Sequence, residues 1–206
     1  MKNSTKQKLL EELNQKMAQE CKCALKATVL NVVPGEGSAD GDILFIGEAP
    51  GKKEDEQGKP FIGAAGKFLS EMLASIGLSR EDIYITNVVK YRPPENRDPL
   101  PDEVADCWPW LEAQIQLINP KLIVPLGRHA MERFLKSKKI SEVHGQLFEI
   151  ELPNLGKRNF YTLYHPAAAL YNGSMRKVLL EDFSRIPAIL EVIKKRRTTL
   201  CHTSTM

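Results

Sequence analysis

The sequence lacks any apolar run long enough to cross a bilayer, and its first twenty residues lack the apolar block of a secretory signal peptide. It also lacks an excess of one charge, because 29 Lys and Arg residues against 26 Asp and Glu residues give a formal net charge of +3. That mildly basic balance does not by itself indicate a nucleic-acid partner. These absences predict an intracellular, cytoplasmic protein that is not embedded in a membrane.

Cysteine is scarce, with only Cys21, Cys23, Cys107 and Cys201 in the chain. In a reducing compartment so few cysteines do not form a disulfide framework. Cys21 and Cys23 are separated by one residue, whereas metal-ligand pairs usually leave at least two residues between them. The cysteine spacing alone therefore gives only weak evidence for a metal.

Internal repeats and low-complexity linkers are also absent, so 206 residues with 42% hydrophobic content indicate one globular domain. Residues 1–20 are predicted to form an amphipathic helix appended to it, with Leu9, Leu10, Leu13 and Met17 on its apolar face. The domain itself is assigned to residues 21–195, and residues 196–206 are expected to form a basic and polar tail.

Four short apolar runs recur along the chain and are typical of buried strands: 42–47, 82–88, 121–127 and 159–165. Residues 64–78 and 101–120 lie between them and have apolar residues at helical spacing. Alternating strands and helices predict a three-layer α/β/α fold with a parallel sheet between helices.

In such a sheet, ligands bind beyond the carboxyl ends of the strands. Glycine turns, carboxylates, an amide and an imidazole occur there, which predicts a binding site at this edge. The residues at the four strand ends are Gly47-Glu48, Thr86-Asn87, Gly127-Arg128 and Tyr164-His165.

Four separated blocks at this edge resemble the type 4 uracil-DNA glycosylases. They are "GEAPGKKEDEQGKPFIGAAGKFL", "ITNVVKYRPPENRDP", "PKLIVPLGRHAM" and "YHPAAAL". The resemblance extends from about Cys21 to Phe183 and keeps the family's order. It implies a central four-stranded parallel sheet and a hydrolase that removes uracil from DNA at the N-glycosidic bond, which is the first step of base excision repair.

The resemblance also implies how uracil is recognised. A base inside a duplex must be flipped into a pocket before it can be reached. Phe61 is expected to stack on its face, a contact worth roughly 1–3 kcal/mol. The amide of Asn87 matches the polar edge of uracil and mismatches that of cytosine, while the Gly47 turn lets backbone N–H groups approach the base.

Catalytic roles are implied for His165 and Glu48. His165 matches the family imidazole that faces O2 of the departing uracil anion, and it can act in its neutral form. Ala49 stands where another family of uracil glycosylases carries an aspartate, so Glu48 is expected to help position the attacking water. Glu54 is expected beside C5 of uracil, where it would help to exclude thymine.

The DNA contacts follow from the same blocks. Leu170 in "HPAAAL" is expected to enter the duplex and fill the space left by the flipped base. Arg92 and Arg97 are expected to meet phosphates. The implied partner is uracil-containing DNA, single-stranded or double-stranded, and the protein is expected to act as a monomer.

The family's four-iron, four-sulfur cluster is held by four cysteines, and the match here is incomplete. Cys23 and Cys107 occupy two ligand positions, Cys21 is off register beside Glu20, and Tyr91 replaces another ligand. Because that cluster is structural, no cofactor is expected to be required for catalysis. We expect the cluster to be absent.

Two other function classes are compatible with parts of the pattern. One is a protein that becomes covalently trapped on uracil-DNA, but such relatives carry a basic, histidine-bearing insertion where this chain has "RPPENRDP". The other is a hydrolase of free nucleotides, but the first glycine-rich loop lacks the spacing of a phosphate cradle.

Overall fold

The structure, a computed structural model, describes the backbone of residues 4–203 and the side chains of residues 4–196. Residues 1–3 of the predicted N-terminal segment and residues 204–206 of the predicted tail lie outside these ranges, as does the side chain of Cys201. The backbone of 186–203 is helical.

The described residues form a six-stranded sheet with the strand order β1-β3-β2-β4-β6-β5. Its four central strands run parallel, and one antiparallel strand lies at each edge. The strands are β1 (Glu36–Gly37), β2 (Ile43–Gly47), β3 (Tyr84–Asn87), β4 (Leu122–Pro125), β5 (Leu147–Leu152) and β6 (Gly156–Tyr161).

The predicted α/β class is confirmed. Three of the four apolar runs contain a parallel strand each, and the fourth run, 159–165, overlaps only the end of β6. The sheet has two strands more than predicted. Strand β1 is only two residues long, and β5 alternates half-buried with exposed residues along a hairpin with β6. Neither therefore contains the continuous apolar run that marks a strand covered on both faces.

Nine helices surround the sheet in residues 4–203. They are α1 (Thr5–Glu20), α2 (Lys52–Gln57), α3 (Ala64–Ser75), α4 (Pro101–Ile118), α5 (Gly127–Glu132), α6 (Ile140–Val143), α7 (Ala168–Tyr171), α8 (Gly173–Ser184) and α9 (Ile186–Thr203).

Strand β2 shows how the layers form, because its side chains alternate between two apolar cores. Leu44 and Ile46 pack with buried residues of α1 and α4, and Ile43 and Phe45 pack with those of α3, α8 and α9. The sheet is therefore covered by helices on both faces, and its carboxyl edge is left open between them.

Helix α1 is capped by Ser4, whose side chain accepts a hydrogen bond from the backbone N–H of Gln7 at 3.1 Å. Leu10 and Met17 on this helix are buried in the core shared with α4. Leu9 was predicted on the apolar face but is 47% exposed, because the buried stripe of the helix follows Leu10 and Met17 instead.

A fully buried lysine joins α1, α4 and the end of β3. The ammonium of Lys90 donates to Thr86 Oγ1 at 2.6 Å and to Gln114 Oε1 at 2.7 Å. The amide of Gln114 donates in turn to Asn14 Oδ1 at 2.8 Å. Burial lowers the pKa of Lys90 to about 7. This network fixes the carboxyl end of β3 against two helices.

None of the described helices combines the length and the apolar character that a bilayer crossing requires.

Candidate active site

Strand register brings the predicted site residues to one edge of the sheet. Gly47 at the end of β2 is paired with Asn87 at the end of β3. Beyond β4 and β6, Leu126 bridges Leu163, and the N–H of Gly127 donates to the carbonyl of Leu163 at 2.8 Å. The carboxyl ends of all four parallel strands therefore lie side by side.

Phe61 and Asn87 both lie against Gly47 at this edge. A Cβ atom at Gly47 would overlap Asn87 Oδ1 and would lie 2.6 Å from Phe61 Cζ, closer than van der Waals contact permits. Phe61 is 6% exposed and Asn87 is 2% exposed. Position 47 therefore has to be glycine, because a larger residue would displace the aromatic ring and the amide from their positions.

The backbone of Phe61 has a left-handed φ of +52°, which is uncommon for an aromatic residue. Arg80 holds this conformation by donating to the carbonyl of Phe61 at 3.1 Å and to that of Pro60 at 2.7 Å. The same guanidinium pairs with Glu36 at 2.7 Å. The sequence prediction did not include Arg80, because its contact with Phe61 joins residues 19 positions apart and depends on the fold.

Glu54 supports the same loop from its other side. Its Oε1 accepts hydrogen bonds from the backbone N–H groups of Ile62 and Gly63, both at 2.9 Å. Gly63 is the N-cap of α3, so the carboxylate also neutralises exposed donors at the start of that helix. One of the two carboxylate oxygens of Glu54 is therefore committed to the backbone that carries Phe61.

His165 faces Phe61 across the site, with 5.6 Å between the ring centroids. Its Nδ1 accepts a hydrogen bond from the backbone N–H of Ala167 at 3.1 Å. The proton of the neutral ring must then be on Nε2. Some of the residue is accessible, but burial of the ring lowers its pKa to about 4, with Glu54 opposing the shift. At neutral pH His165 is thus an uncharged donor through Nε2.

A cavity of about 250 Å³ opens beside His165. Glu48 and His165, the two residues predicted to be catalytic, both line this cavity. The lining residues are Glu48, Leu126, Gly127, Arg128, His129, Tyr164, His165 and Ala168.

The carboxylate of Glu48 lies at the wall of this cavity. Its Oε1 is buried without a hydrogen bond and lies 3.5 Å from His129 Nδ1. Burial raises the pKa of Glu48, and His129 opposes that shift. Glu48, Asp98 and His129 form a group, within the described part of the chain, whose donor atoms all lie within 4.8 Å. The contacts of His129 with both carboxylates account for that spacing, and we assign no metal to it.

Helix α7 presents two exposed apolar side chains directly after the cavity wall. Leu170 is 50% exposed and Tyr171 is 90% exposed. The sequence prediction did not single out Tyr171, which directly follows the block that ends at Leu170.

The two arginines predicted to contact DNA differ in their surroundings. Arg97 donates to both carboxylate oxygens of Glu103, at 2.9 Å and 2.6 Å. Arg92 donates through Nε to Asn96 Oδ1 at 2.8 Å. Arg97 thus has its guanidinium in a bidentate pair within the loop, whereas the contact of Arg92 uses only one of its five donors.

Comparison with known proteins was consistent with this geometry. The model of the uracil DNA glycosylase superfamily matches residues 34–185. The chain belongs to that superfamily.

The chain is 48% identical to the type-4 uracil-DNA glycosylase of Archaeoglobus fulgidus, over 87% of this chain and 90% of the relative. It is 46% identical to the type-4 enzyme of Sulfurisphaera tokodaii (92% and 88% covered) and 41% identical to that of Thermotoga maritima (91% and 97% covered). The resemblance to the type 4 group is confirmed.

Three of the chain's four cysteines lie together in the core between α1 and α4. Cys21, Cys23 and Cys107 are buried and free, and Tyr91 packs among them with 1% exposure. The thiol of Cys21 contacts the carbonyl of Asp106 at 3.7 Å. Among the side chains of residues 4–196, three thiols are present in this core where a four-iron cluster needs four thiolates, so this donor set does not fit the complete cluster.

The pKa values of the free thiols and of the phenol in this corner follow from their contacts with one another and from burial. A hydrogen bond with Cys107 lowers the pKa of Cys21 to about 6 and raises that of Cys107. Burial raises the pKa of Cys23 and that of Tyr91. Tyr91 is therefore a neutral phenol. A neutral phenol does not replace a thiolate as an iron ligand.

The tautomer and charge of His165 can be measured directly. In ¹⁵N NMR spectra, we expect the ring of His165 to remain neutral, with its proton on Nε2, from pH 8 down to about pH 5. A spectrum of His165→Asn assigns the signals by difference. A titration midpoint near the unperturbed value of about 6.5, or a proton on Nδ1, would contradict this description.

Proposed function

We propose that this protein excises uracil from DNA by flipping the nucleotide out of the helix and hydrolysing its N-glycosidic bond. This reaction initiates base excision repair. The observation that carries the proposal is that an aromatic ring and an amide lie against Gly47 while an uncharged imidazole faces that ring, in a chain that belongs to the uracil DNA glycosylase superfamily.

Uracil recognition is assigned to Phe61 and Asn87. Phe61 stacks on the face of the base, and the amide of Asn87 pairs its carbonyl with N3–H and its NH₂ group with O4. Cytosine has the opposite donor and acceptor arrangement and would leave buried groups unpaired, at a cost of about 1–3 kcal/mol each. The close contact of Asn87 with Gly47 supports this role, because it limits how the amide can move.

Leaving-group stabilisation is assigned to His165. When the glycosidic bond breaks, negative charge develops on O2 of uracil, and the Nε2–H of a neutral imidazole donates to it. A preorganised donor of this kind contributes about 3–4 kcal/mol to transition-state stabilisation. The hydrogen bond from Ala167 to Nδ1 supports the assignment, because it turns the protonated nitrogen away from its own loop.

Water positioning is assigned to Glu48, since its carboxylate lines the same cavity as His165. An ionised carboxylate can orient a water and stabilise the positive charge that develops on the sugar. Glu54 is assigned to the Phe61 loop, which its hydrogen bonds to Ile62 and Gly63 support. A contact of its remaining oxygen with the C5 edge of uracil is compatible with that role.

DNA is gripped at the mouth of the cavity. Leu170 fills the space vacated by the flipped base, and Arg92 contacts phosphate. Arg97 shapes the loop between β3 and α4 through its pair with Glu103. The enzyme works as a monomer in the cytoplasm on uracil-containing DNA, single-stranded or double-stranded, and its chemistry needs no cofactor.

The proposed activity predicts an abasic site wherever uracil occurs in an oligonucleotide. In EDTA and without any added cofactor, the wild-type protein should yield alkali-cleavable product from uracil-DNA and none from matched thymine or cytosine strands. Asn87→Ala should lower the rate on uracil roughly 100-fold, since it leaves the polar edge of the base unmatched. Intact uracil strands after treatment with folded wild-type protein would contradict the proposal.

The role of Leu170 predicts a difference between substrates. Leu170→Ala should slow excision from double-stranded DNA about tenfold more than from single-stranded DNA, because only the duplex has a vacated space to fill. Leu9→Ala is the matched control, since Leu9 is an exposed leucine on α1. Equal losses of activity on the two substrates would contradict the role of Leu170.

We further propose that the chain folds without a complete iron–sulfur cluster. Packing of Tyr91, Cys23 and Cys107 in the α1–α4 core supports this, as does the network through which Lys90 joins α1 to α4. The corner would then be held by apolar contacts and hydrogen bonds instead of iron–thiolate bonds.

Iron analysis tests the cluster proposal. Protein purified without oxygen should be colourless, contain far fewer than four iron and four sulfide per chain, and excise uracil. Cys107→Ala should retain the wild-type iron content and lose only the stability expected for a small cavity, about 1 kcal/mol. A brown protein with close to four irons per chain would contradict the proposal.

A further inference from the structure

His129 lies between two carboxylates at the wall of the active-site cavity. Its Nδ1 is 3.5 Å from Glu48 Oε1, and its Nε2 is 3.6 Å from Asp98 Oδ2. The side chain is 28% exposed and lines the cavity together with Glu48. Helix α5 therefore carries an imidazole to the carboxylate assigned to water positioning.

Arg128 determines which nitrogen of the neutral His129 ring carries the proton. Its Nε lies 3.3 Å and its Nη2 lies 3.2 Å from His129 Nε2. A guanidinium presents only donors, so the neutral ring has its proton on Nδ1 and its lone pair on Nε2. If the ring is protonated, Nδ1 carries a proton as well. In both states an N–H group of His129 faces Glu48.

We propose that His129 is a positioning residue that keeps the Glu48 carboxylate ionised and oriented toward the attacking water. The inference rests on the water-positioning role proposed for Glu48. On the far side of the imidazole, Arg128 contacts Nε2, and the Asp98 carboxylate lies 3.6 Å from the same nitrogen. His129 itself is not assigned any contact with uracil or the sugar.

The environment of Glu48 explains why such a residue is needed. Burial raises the pKa of this carboxyl group, and the negative charge of Asp98 raises it further. His129 is the strongest opposing group, followed by Arg133 and Arg128 on the same side of the cavity. Without His129, Glu48 would bind a proton at a higher pH and would lose the charge that orients water.

A pH profile of single-turnover excision distinguishes this role from a structural one. In His129→Ala, the acid limb of the rate should move up by about one pH unit, which lowers the rate up to about tenfold on the acid limb and leaves it near normal on the alkaline plateau. His129→Asn should restore much of the loss, because its amide can occupy the position of Nδ1. His129→Gln, whose amide reaches the position of Nε2, should restore less.

Two further variants complete the design. Glu132→Gln is the control, since it removes an exposed charge from the same helix without facing Glu48, and its profile should match the wild type. In Glu48→Gln the acid limb should disappear along with most of the activity, and adding His129→Ala should then change little, since the two residues act as one unit.

The outcomes distinguish a failure of the role inferred for His129 from a failure of the water-positioning role proposed for Glu48. A loss in His129→Ala that is equal at every pH, or no loss at all, would overturn the role of His129 while Glu48→Gln still reports on Glu48. A Glu48→Gln variant with the wild-type rate and profile would overturn both. Activity abolished by EDTA and restored by a divalent cation would show that the three groups bind a metal instead, and would also overturn the inference.

Discussion

The site depends on the pairing of β2 with β3, which sets the end of one strand directly beside the end of the other. This register puts Gly47 opposite Asn87, and the missing side chain at Gly47 leaves room for both the amide and the Phe61 ring. A shift of one residue would turn Asn87 to the other face of the sheet. The buried Lys90 network holds β3 in place from beneath, so recognition of the base depends on the packing of α1 and α4 as well as on the edge itself.

Burial then gives the polar groups of the site different tasks. It removes charge from His165, which makes the ring a neutral donor, and it also favours the protonated form of Glu48. The two effects arise from the same exclusion of water, but only the second opposes the proposed chemistry. A nearby N–H group can reverse it, and His129 is placed to do so. Neutral His165 and ionised Glu48 are thus compatible in one cavity.

The sequence predicted the parts of this arrangement that leave a local signal. Buried strands appear as continuous apolar runs, and the residues after them appear as polar blocks, so the parallel sheet and its edge could be predicted. The strand β5 could not, since its half-exposed residues form no such run. The contacts of Arg80 and His129 could not be predicted either, because both depend on tertiary packing. The supports of the site were therefore less visible in the sequence than the residues that they hold.

The most direct test of the central claim separates chemistry from binding in His165→Ala. If the neutral imidazole stabilises the departing uracil anion, its contact strengthens as charge develops, so the variant should bind uracil-DNA nearly as tightly as the wild type. Its single-turnover rate should fall about 10²- to 10³-fold. A variant that binds uracil-DNA much more weakly but cleaves at the normal single-turnover rate would contradict the account.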